Sequence, residues 1–245
     1  MKPLIISTSD LDGGAARAAY RLHKGLHLQG ISSRMLVRSK LSKDKSVIKH
    51  KPFLAMVGSK LTDWPLRLYR KRDRAMFSTQ WFPDEIAKKV TQISPDVINL
   101  HWACNGYVQI ETLSKFQRPL VWTLHDMWAF TGGCHYSQEC ELYTKACGPC
   151  PQLNHKMNQD ISRWVWQRKA KSWSSLSMMA VTPSHWLADC ARSSVLFRNV
   201  PIEVIPNGLD IQTYKPANQK FARKLLNLPE EKRIVLFGTS RCTKQ

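Results

Sequence analysis

The sequence predicts an α/β protein, a Rossmann-like parallel sheet flanked by helices. Three observations carry this. Short β-branched runs alternate with helical stretches along all 245 residues, which is the pattern of βαβ units. The first of these runs meets a Gly-rich turn and then an amphipathic helix, in Rossmann order. Hydrophobic residues make up 43% and charged residues 22%, a balance that can build a buried core and excludes wholesale disorder.

The strands are expected at Leu4–Thr8, Arg34–Val37, Val97–Leu100, Leu120–Leu124, Met178–Thr182, Glu203–Ile205 and Ile234–Phe237. The clearest helix follows the first strand. Ala15, Ala18, Ala19, Leu22 and Leu26 share one helical face, Arg17, Arg21 and Lys24 lie off it, and Gly30 is placed to end it. No internal repeat and no low-complexity segment interrupts the alternation.

Charge is the second source of information. The chain carries 37 Lys and Arg against 18 Asp and Glu, a formal charge of +19. Such a field favours anionic partners, namely nucleic acid, an anionic membrane surface or phosphorylated substrates. Twelve of these cations fall in a basic insertion, residues 38–74, among three Asp. They alternate there with Phe53, Leu54, Met56, Val57, Leu61, Trp64, Leu66, Leu68 and Tyr69. Two readings stand side by side: a solvated helical insertion whose aromatics join the core, or a surface facing anionic lipid. No segment reaches the roughly 20 apolar residues that span a bilayer, and the apolar start Leu4–Ile6 is too short for a signal peptide. A cytoplasmic chain with reduced thiols is expected, possible peripheral attachment to the inner face of the cell membrane included.

Four motifs carry chemistry. Ser9–Gly14 (SDLDGG) joins the first strand to the first helix, where paired Gly13 and Gly14 let a ligand approach backbone and a helix N-terminus. It is not GxGxxG, so neither a nicotinamide nor a flavin is indicated. Trp122–Trp128 (WTLHDMW) brings His125 and Asp126 out at the carboxyl end of a strand, where open α/β sheets bind ligands. Val204–Asp210 (VIPNGLD) places Asn207 and Gly208 in a tight turn. Finally, Cys134, Cys140, Cys147 and Cys150 fall within seventeen residues of a Gly/Pro-punctuated loop, 132–153. They can close a structural zinc site, although the five residues between the first pair are looser than CxxC. A redox pair at Cys147 and Cys150, or four ordinary loop thiols, are the alternatives.

Taken in order, six segments closely resemble the amino-terminal domain of family 4 glycosyltransferases of the GT-B fold, nearest to exopolysaccharide enzymes of the colanic-acid type. They are Ser7–Arg21 (STSDLDGGAARAAYR), Asp96–Trp102 (DVINLHW), Pro119–Tyr136 (PLVWTLHDMWAFTGGCHY), Cys147–Leu153 (CGPCPQL), Thr182–Leu187 (TPSHWL) and Val204–Asp210. The resemblance implies two facing Rossmann-like domains, with a retaining transfer in the cleft between them and no cofactor or metal for catalysis. In such enzymes the second domain binds most of the nucleotide-sugar donor, and the acceptor hydroxyl loses its proton to the donor phosphate. By resemblance, Gly13 and Gly14 line the cleft, His125 contacts the transferred sugar with Asp126 beside it, and Asn207 and Gly208 lead towards the interdomain hinge.

The same resemblance divides the chain into an acceptor-side domain, 1–232, and the start of a donor-binding domain, 233–245. The family's glutamate pair, E-x7-E, has no counterpart: no two of Glu85, Glu111, Glu139, Glu141, Glu203, Glu230 and Glu231 are eight apart. The expectation is a glycosyltransferase of exopolysaccharide or lipopolysaccharide biosynthesis, inactive alone and weak in donor binding, whose acceptor is a lipid-linked oligosaccharide. The alternative is a non-catalytic remnant, or a half-enzyme that needs a partner chain. A zinc-containing nucleic-acid binder is disfavoured because residues 132–151 hold a single cation, Lys145.

Overall fold

The computed structural model describes residues 1–50, 57–58, 61–155 and 157–236. The chain forms two compact units, Met1–Gly208 and Leu209–Gln245. The first unit carries one sheet of seven parallel strands: β1 (Pro3–Ser9), β2 (Arg34–Ser39), β3 (Val47–Lys49), β4 (Val97–Leu100), β5 (Leu120–Thr123), β6 (Met178–Thr182) and β7 (Ile202–Val204). Their order is β3-β2-β1-β4-β5-β6-β7. The chain thus winds outward from β1 in one direction and from β4 in the other, which is the doubly wound topology, with its switch point between β1 and β4.

Six of the expected strands are present within two residues of their expected bounds. The seventh is not: Ile234–Leu236 pair with no described strand, and an unpaired β segment leaves its backbone groups unsatisfied. Phe237 lies outside the described residues. β3, by contrast, escaped the sequence reading. Three residues, Val47-Ile48-Lys49, sit in the basic insertion and extend the sheet beyond β2. That segment is therefore neither wholly helical nor wholly a surface appendage. Phe53, Leu54 and Met56 lie outside the described residues. Of the others, Leu66 is buried in a short 3₁₀ turn (Trp64–Leu68).

Burial on both faces explains the continuous apolar strands. In β1, Leu4 and Ile6 join the main core with Ile98, Leu100, Leu120 and Trp122. Ile5 points to the opposite face and packs with Ala19, Met35, Val37 and Val47. Ala19 belongs to α1 (Gly14–Leu28), whose buried face is Ala16, Ala18, Ala19 and His23. This is rotated from the expected alanine–leucine stripe: Leu22 is exposed, and His23 is fully buried in its place. A histidine can fill a core position here because both ring nitrogens are satisfied, Nδ1 by Ser33 Oγ at 2.6 Å and Nε2 by Ser46 Oγ at 2.8 Å. The helix ends where expected. Gly30 N–H donates to His27 O and Ile31 N–H to Leu26 O, a Schellman cap.

Among the described residues, α2 (Ile86–Ile93), α3 (Ile161–Trp173) and α4 (His185–Ser193) also cover the sheet. Asp160 caps α3. Its Oδ1 accepts from Ser162 N, Arg163 N and Ser162 Oγ, while Oδ2 accepts from Cys150 N at 2.7 Å. One carboxylate thereby ties the Cys-rich loop to a helix N-terminus. The second unit contains α5 (Gln219–Leu225), capped by Asn218 Oδ1. Among the described residues no helix is long and apolar enough to cross a membrane.

Candidate functional site

The site grows out of the switch point. At the end of β1, Ser9 and Asp10 are buried, and Asp10 accepts Leu41 N–H and Ser42 N–H at 2.8 and 2.9 Å. This fixes the segment after β2 as one wall. The chain then turns through Gly13, whose φ of 91° suits a residue without Cβ, into the N-terminus of α1. Apart from the adjoining backbone, no atom of the described residues lies within 4 Å of where a Cβ on Gly13 or Gly14 would stand. Backbone is bare there, and a ligand can reach the first free N–H groups of α1. Across the switch point Thr8 N and Thr8 Oγ1 both donate to Trp102 O, and Thr8 Oγ1 also to Cys104 O. The ends of β1 and β4 are thus stapled side by side.

His101 and His125 occupy similar places, each preceded by a Leu, one residue past β4 and two residues past β5. His101 Nδ1 lies 2.8 Å from His125 Nε2, and His101 Nε2 lies 2.6 Å from Asn99 Oδ1. Burial holds His101 well below the ordinary histidine range and brings His125 down to about 4. Both rings are therefore neutral at pH 7. His101 is fully enclosed, whereas His125 is half-buried.

Asp126 has a different character. Its Oδ2 accepts from His135 Nδ1 at 2.6 Å and Trp102 Nε1 at 2.9 Å, and its Oδ1 accepts Trp128 N–H at 2.9 Å. Both oxygens are committed to protein donors, so Asp126 orders the loop rather than presenting a free base. Behind it His135 Nε2 lies 2.9 Å from Ser78 Oγ, and Trp128 Nε1 donates to Ser78 O. The fully buried Lys169 donates to Thr131 O at 3.0 Å and to Trp128 O, with its ammonium 3.7 Å from the Trp128 ring centroid. Burial lowers its pKa to about 7.

The sequence singled out His125, Asp126, Gly13 and Gly14, and all four lie at the carboxyl edge of the sheet. It did not single out Asn99, His101, Trp102 and His135 as working residues. The available signal was the echo of Leu100-His101-Trp102 in Leu124-His125-Asp126 at the ends of adjacent strands. Asn207 and Gly208 follow β7 at the end of the first unit. Neither has a positive φ and no turn forms there, because the segment continues extended past the strand.

Cys134, Cys140, Cys147 and Cys150 line one common cavity of about 20 Å³ with Phe77 and Tyr143. Among the described residues no group of three or more His, Cys, Asp or Glu is placed to hold a metal ion. The loop's order has other sources. Gly132 N–H donates to Cys147 Sγ at 3.0 Å. A Cβ on Gly132 would stand 2.5 Å from Ser162 O, and one on Gly133, whose φ is 127°, 2.4 Å from the Phe77 ring. Burial pushes the Cys147 and Cys150 thiols up to about 12, so they pack as neutral, apolar groups.

Parallel order, the switch point between β1 and β4, and polar side chains gathered at the carboxyl ends define a Rossmann-like domain, with those side chains on the edge where open α/β sheets bind ligands. The chain belongs to Glycosyltransferase Family 4, whose family model matches residues 12–213. It is 27% identical over 225 residues to the putative colanic acid biosynthesis glycosyl transferase WcaC of Escherichia coli (strain K12), covering 82% of this chain and 53% of that protein. The chain therefore spans about half the length of the curated relative it matches. Among solved structures, Anabaena Alr3699/HepE in complex with UDP-glucose aligns with a TM-score of 0.47 at 14% identity, covering 93% of this chain and 50% of HepE. The same protein in complex with UDP gives 0.46 at 14% identity, with the same coverage.

The depressed histidines set a direction for stability against pH. His23, like His125, has a folded pKa of about 4 against 6.5 for the free side chain, and His101 shifts the same way. Between these values the unfolded chain binds protons that the folded chain does not, so stability falls as pH drops from 6.5 to 4. The fully buried His23 alone gives a slope of up to about 1.4 kcal/mol per pH unit. Urea midpoints measured at pH 7.5, 6 and 5 should fall in that order, and a His23→Asn variant should show a shallower fall.

Proposed function

We propose that this chain is the acceptor-side part of a glycosyltransferase of polysaccharide biosynthesis, with a nucleotide-sugar as donor and a lipid-linked oligosaccharide as acceptor. The observation that carries the reading is the position of half-buried His125 beyond β5, on the same carboxyl edge of the sheet as the bare Gly13-Gly14 turn that opens α1, in a Family 4 chain. The similarity to a colanic acid enzyme supports polysaccharide synthesis as the setting. In the reaction an acceptor oxygen bonds to the anomeric carbon, the bond to the nucleoside diphosphate breaks, and the acceptor proton passes to the departing phosphate.

The geometry supports the following division of labour. The α1 N-terminus and its glycines stabilise negative charge on the phosphates. His125 faces the sugar. Asp126, with its oxygens already bonded, positions the loop and takes no part as nucleophile. Retention of configuration, implied by the family resemblance, thus requires no protein nucleophile from this half.

Donor affinity of the chain by itself is the first test. No pair of its glutamates has the spacing that the family uses to grip the donor. Calorimetry against a panel of nucleotide-sugars should give dissociation constants of about a millimolar or weaker, roughly −4 kcal/mol. Micromolar binding to any of them would refute this assignment of the donor contacts.

A membrane surface is the proposed setting for the acceptor. Trp64 and Leu68 are 57% and 83% exposed, next to exposed Arg67, Arg70, Lys71 and Arg74. Exposed apolar residues among cations suit the interface of an anionic bilayer, where each cation adds about 1 kcal/mol. The chain should co-sediment with vesicles containing phosphatidylserine at low salt and detach as salt rises. Replacing Arg70, Lys71, Arg72 and Arg74 with Ser should weaken this, and equal binding to neutral vesicles would count against it.

A further inference from the structure

The Asn99–His101–His125 chain fixes where protons sit, and the logic starts at a backbone carbonyl. Asn99 Nδ2 lies 3.1 Å from Val121 O and 3.0 Å from Thr123 Oγ1. A carbonyl can only accept, so this end of the amide is the NH₂ group and Oδ1 points at His101. Oδ1 likewise only accepts, so His101 Nε2 carries a proton and donates across 2.6 Å. His101 is completely buried and makes no ion pair among the described residues, so burial keeps it neutral and its one proton is spent on Asn99. Its Nδ1 is a bare lone pair. The 2.8 Å contact to His125 Nε2 is then a hydrogen bond only if His125 donates. His125, neutral in turn, has its proton on Nε2. Its Nδ1 is left unprotonated, and among the described residues no side chain or backbone group hydrogen-bonds to it.

We propose that Asn99 and His101 are positioning residues that fix the tautomer of His125, so that its Nδ1 meets the crevice as an acceptor for a ligand hydroxyl. The relay runs sideways through the sheet, from the β5 backbone to the Asn99 side chain of β4, to His101 just after β4, and back to His125, two residues beyond β5. Register makes this possible: Asn99 pairs with Val121 and Leu100 with Trp122, which sets Asn99 beside the carbonyl that orients it. The ring centroids lie 5.1 Å apart, a separation that fits an edge-to-edge hydrogen bond between the two imidazoles. A site built this way selects for hydroxyl donors and rejects a ligand group that can only accept at that point. Only the identity of the ligand as a sugar rests on the glycosyltransferase reading; the proton positions do not.

The test needs neither substrate nor turnover, so it stands apart from any failure of the glycosyltransferase reading. Long-range proton–nitrogen NMR on the ¹⁵N-labelled chain at neutral pH reports which ring nitrogen of each histidine is protonated. Expected are His101 and His125 both protonated at Nε2, with a coupling across the hydrogen bond from His125 Nε2–H to His101 Nδ1. In Asn99→Leu, His101 loses the acceptor that holds its proton at Nε2. Its proton is then free to move to Nδ1, and His125 should switch to the Nδ1-protonated form. A proton on Nδ1 of either histidine in the unsubstituted chain would overturn the proposal, and so would a folded Asn99→Leu chain with unchanged tautomers. Should Asn99→Leu fail to fold, the assignment in the unsubstituted chain decides.

Discussion

The carboxylate of Asp126 accepts three protein hydrogen bonds, from Trp102, His135 and the backbone of Trp128, and these come from three separate stretches of chain. Trp102 follows β4, Trp128 opens the turn after β5, and His135 belongs to the Cys-rich loop. A half-buried carboxylate with charge-assisted bonds is a strong local constraint, and here it ties together the segments after β4 and β5 and the Cys-rich loop. His125, one residue away, is held where it is because its neighbour is anchored. Lys169 adds a second fastening from below, reaching the carbonyls of Trp128 and Thr131 from α3. The Cys-rich loop depends on the same constraint at one end and on the Asp160 cap at the other.

This arrangement separates two residues that adjacency in sequence would pair. His125 and Asp126 look like an acid–base couple, yet the structure gives them opposite tasks. Asp126 faces inward and is saturated, while His125 bonds sideways to His101 and keeps one nitrogen for a ligand. Both oxygens of Asp126 and both ring nitrogens of His101 have protein partners, and His125 Nδ1 is the nitrogen left over. A rigid, fully bonded frame is what a transfer reaction needs in order to hold a sugar still while another group attacks it. The bare glycine turn of α1 supplies the complementary charge stabilisation on the facing wall.

Much of this was legible in the residues. β-Branched runs gave six strands, because parallel strands buried on both faces leave unbroken apolar stretches. The edge strand β3 was hidden because three residues, one of them lysine, leave too short a pattern against a basic background. The helix α1 was found but its face was misjudged, since apolar periodicity favoured Leu22 over His23, and two serines distant in sequence make the histidine the better buried residue. The site was half visible for a related reason. Gly13, Gly14, His125 and Asp126 stand in local motifs, whereas Asn99, His101 and His135 acquire their roles from contacts across strands 9 to 57 residues apart. The cysteines illustrate the limit from the other side: they do gather around one cavity, as their spacing suggested, but are held there by glycine packing and by Asp160.

The most direct measurement is amide hydrogen exchange on an Asp126→Asn variant. The amide has the size of the carboxylate, but whichever way it turns, its NH₂ group faces a protein N–H donor, leaving at least one buried donor unpaired at a cost of about 1–3 kcal/mol. If Asp126 is the constraint on which the crevice depends, protection should drop across residues 126–137 and at Trp102 while the amides of β1 and β2 stay protected. Unchanged exchange across 126–137, with stability within about 0.5 kcal/mol of the parent, would contradict the account.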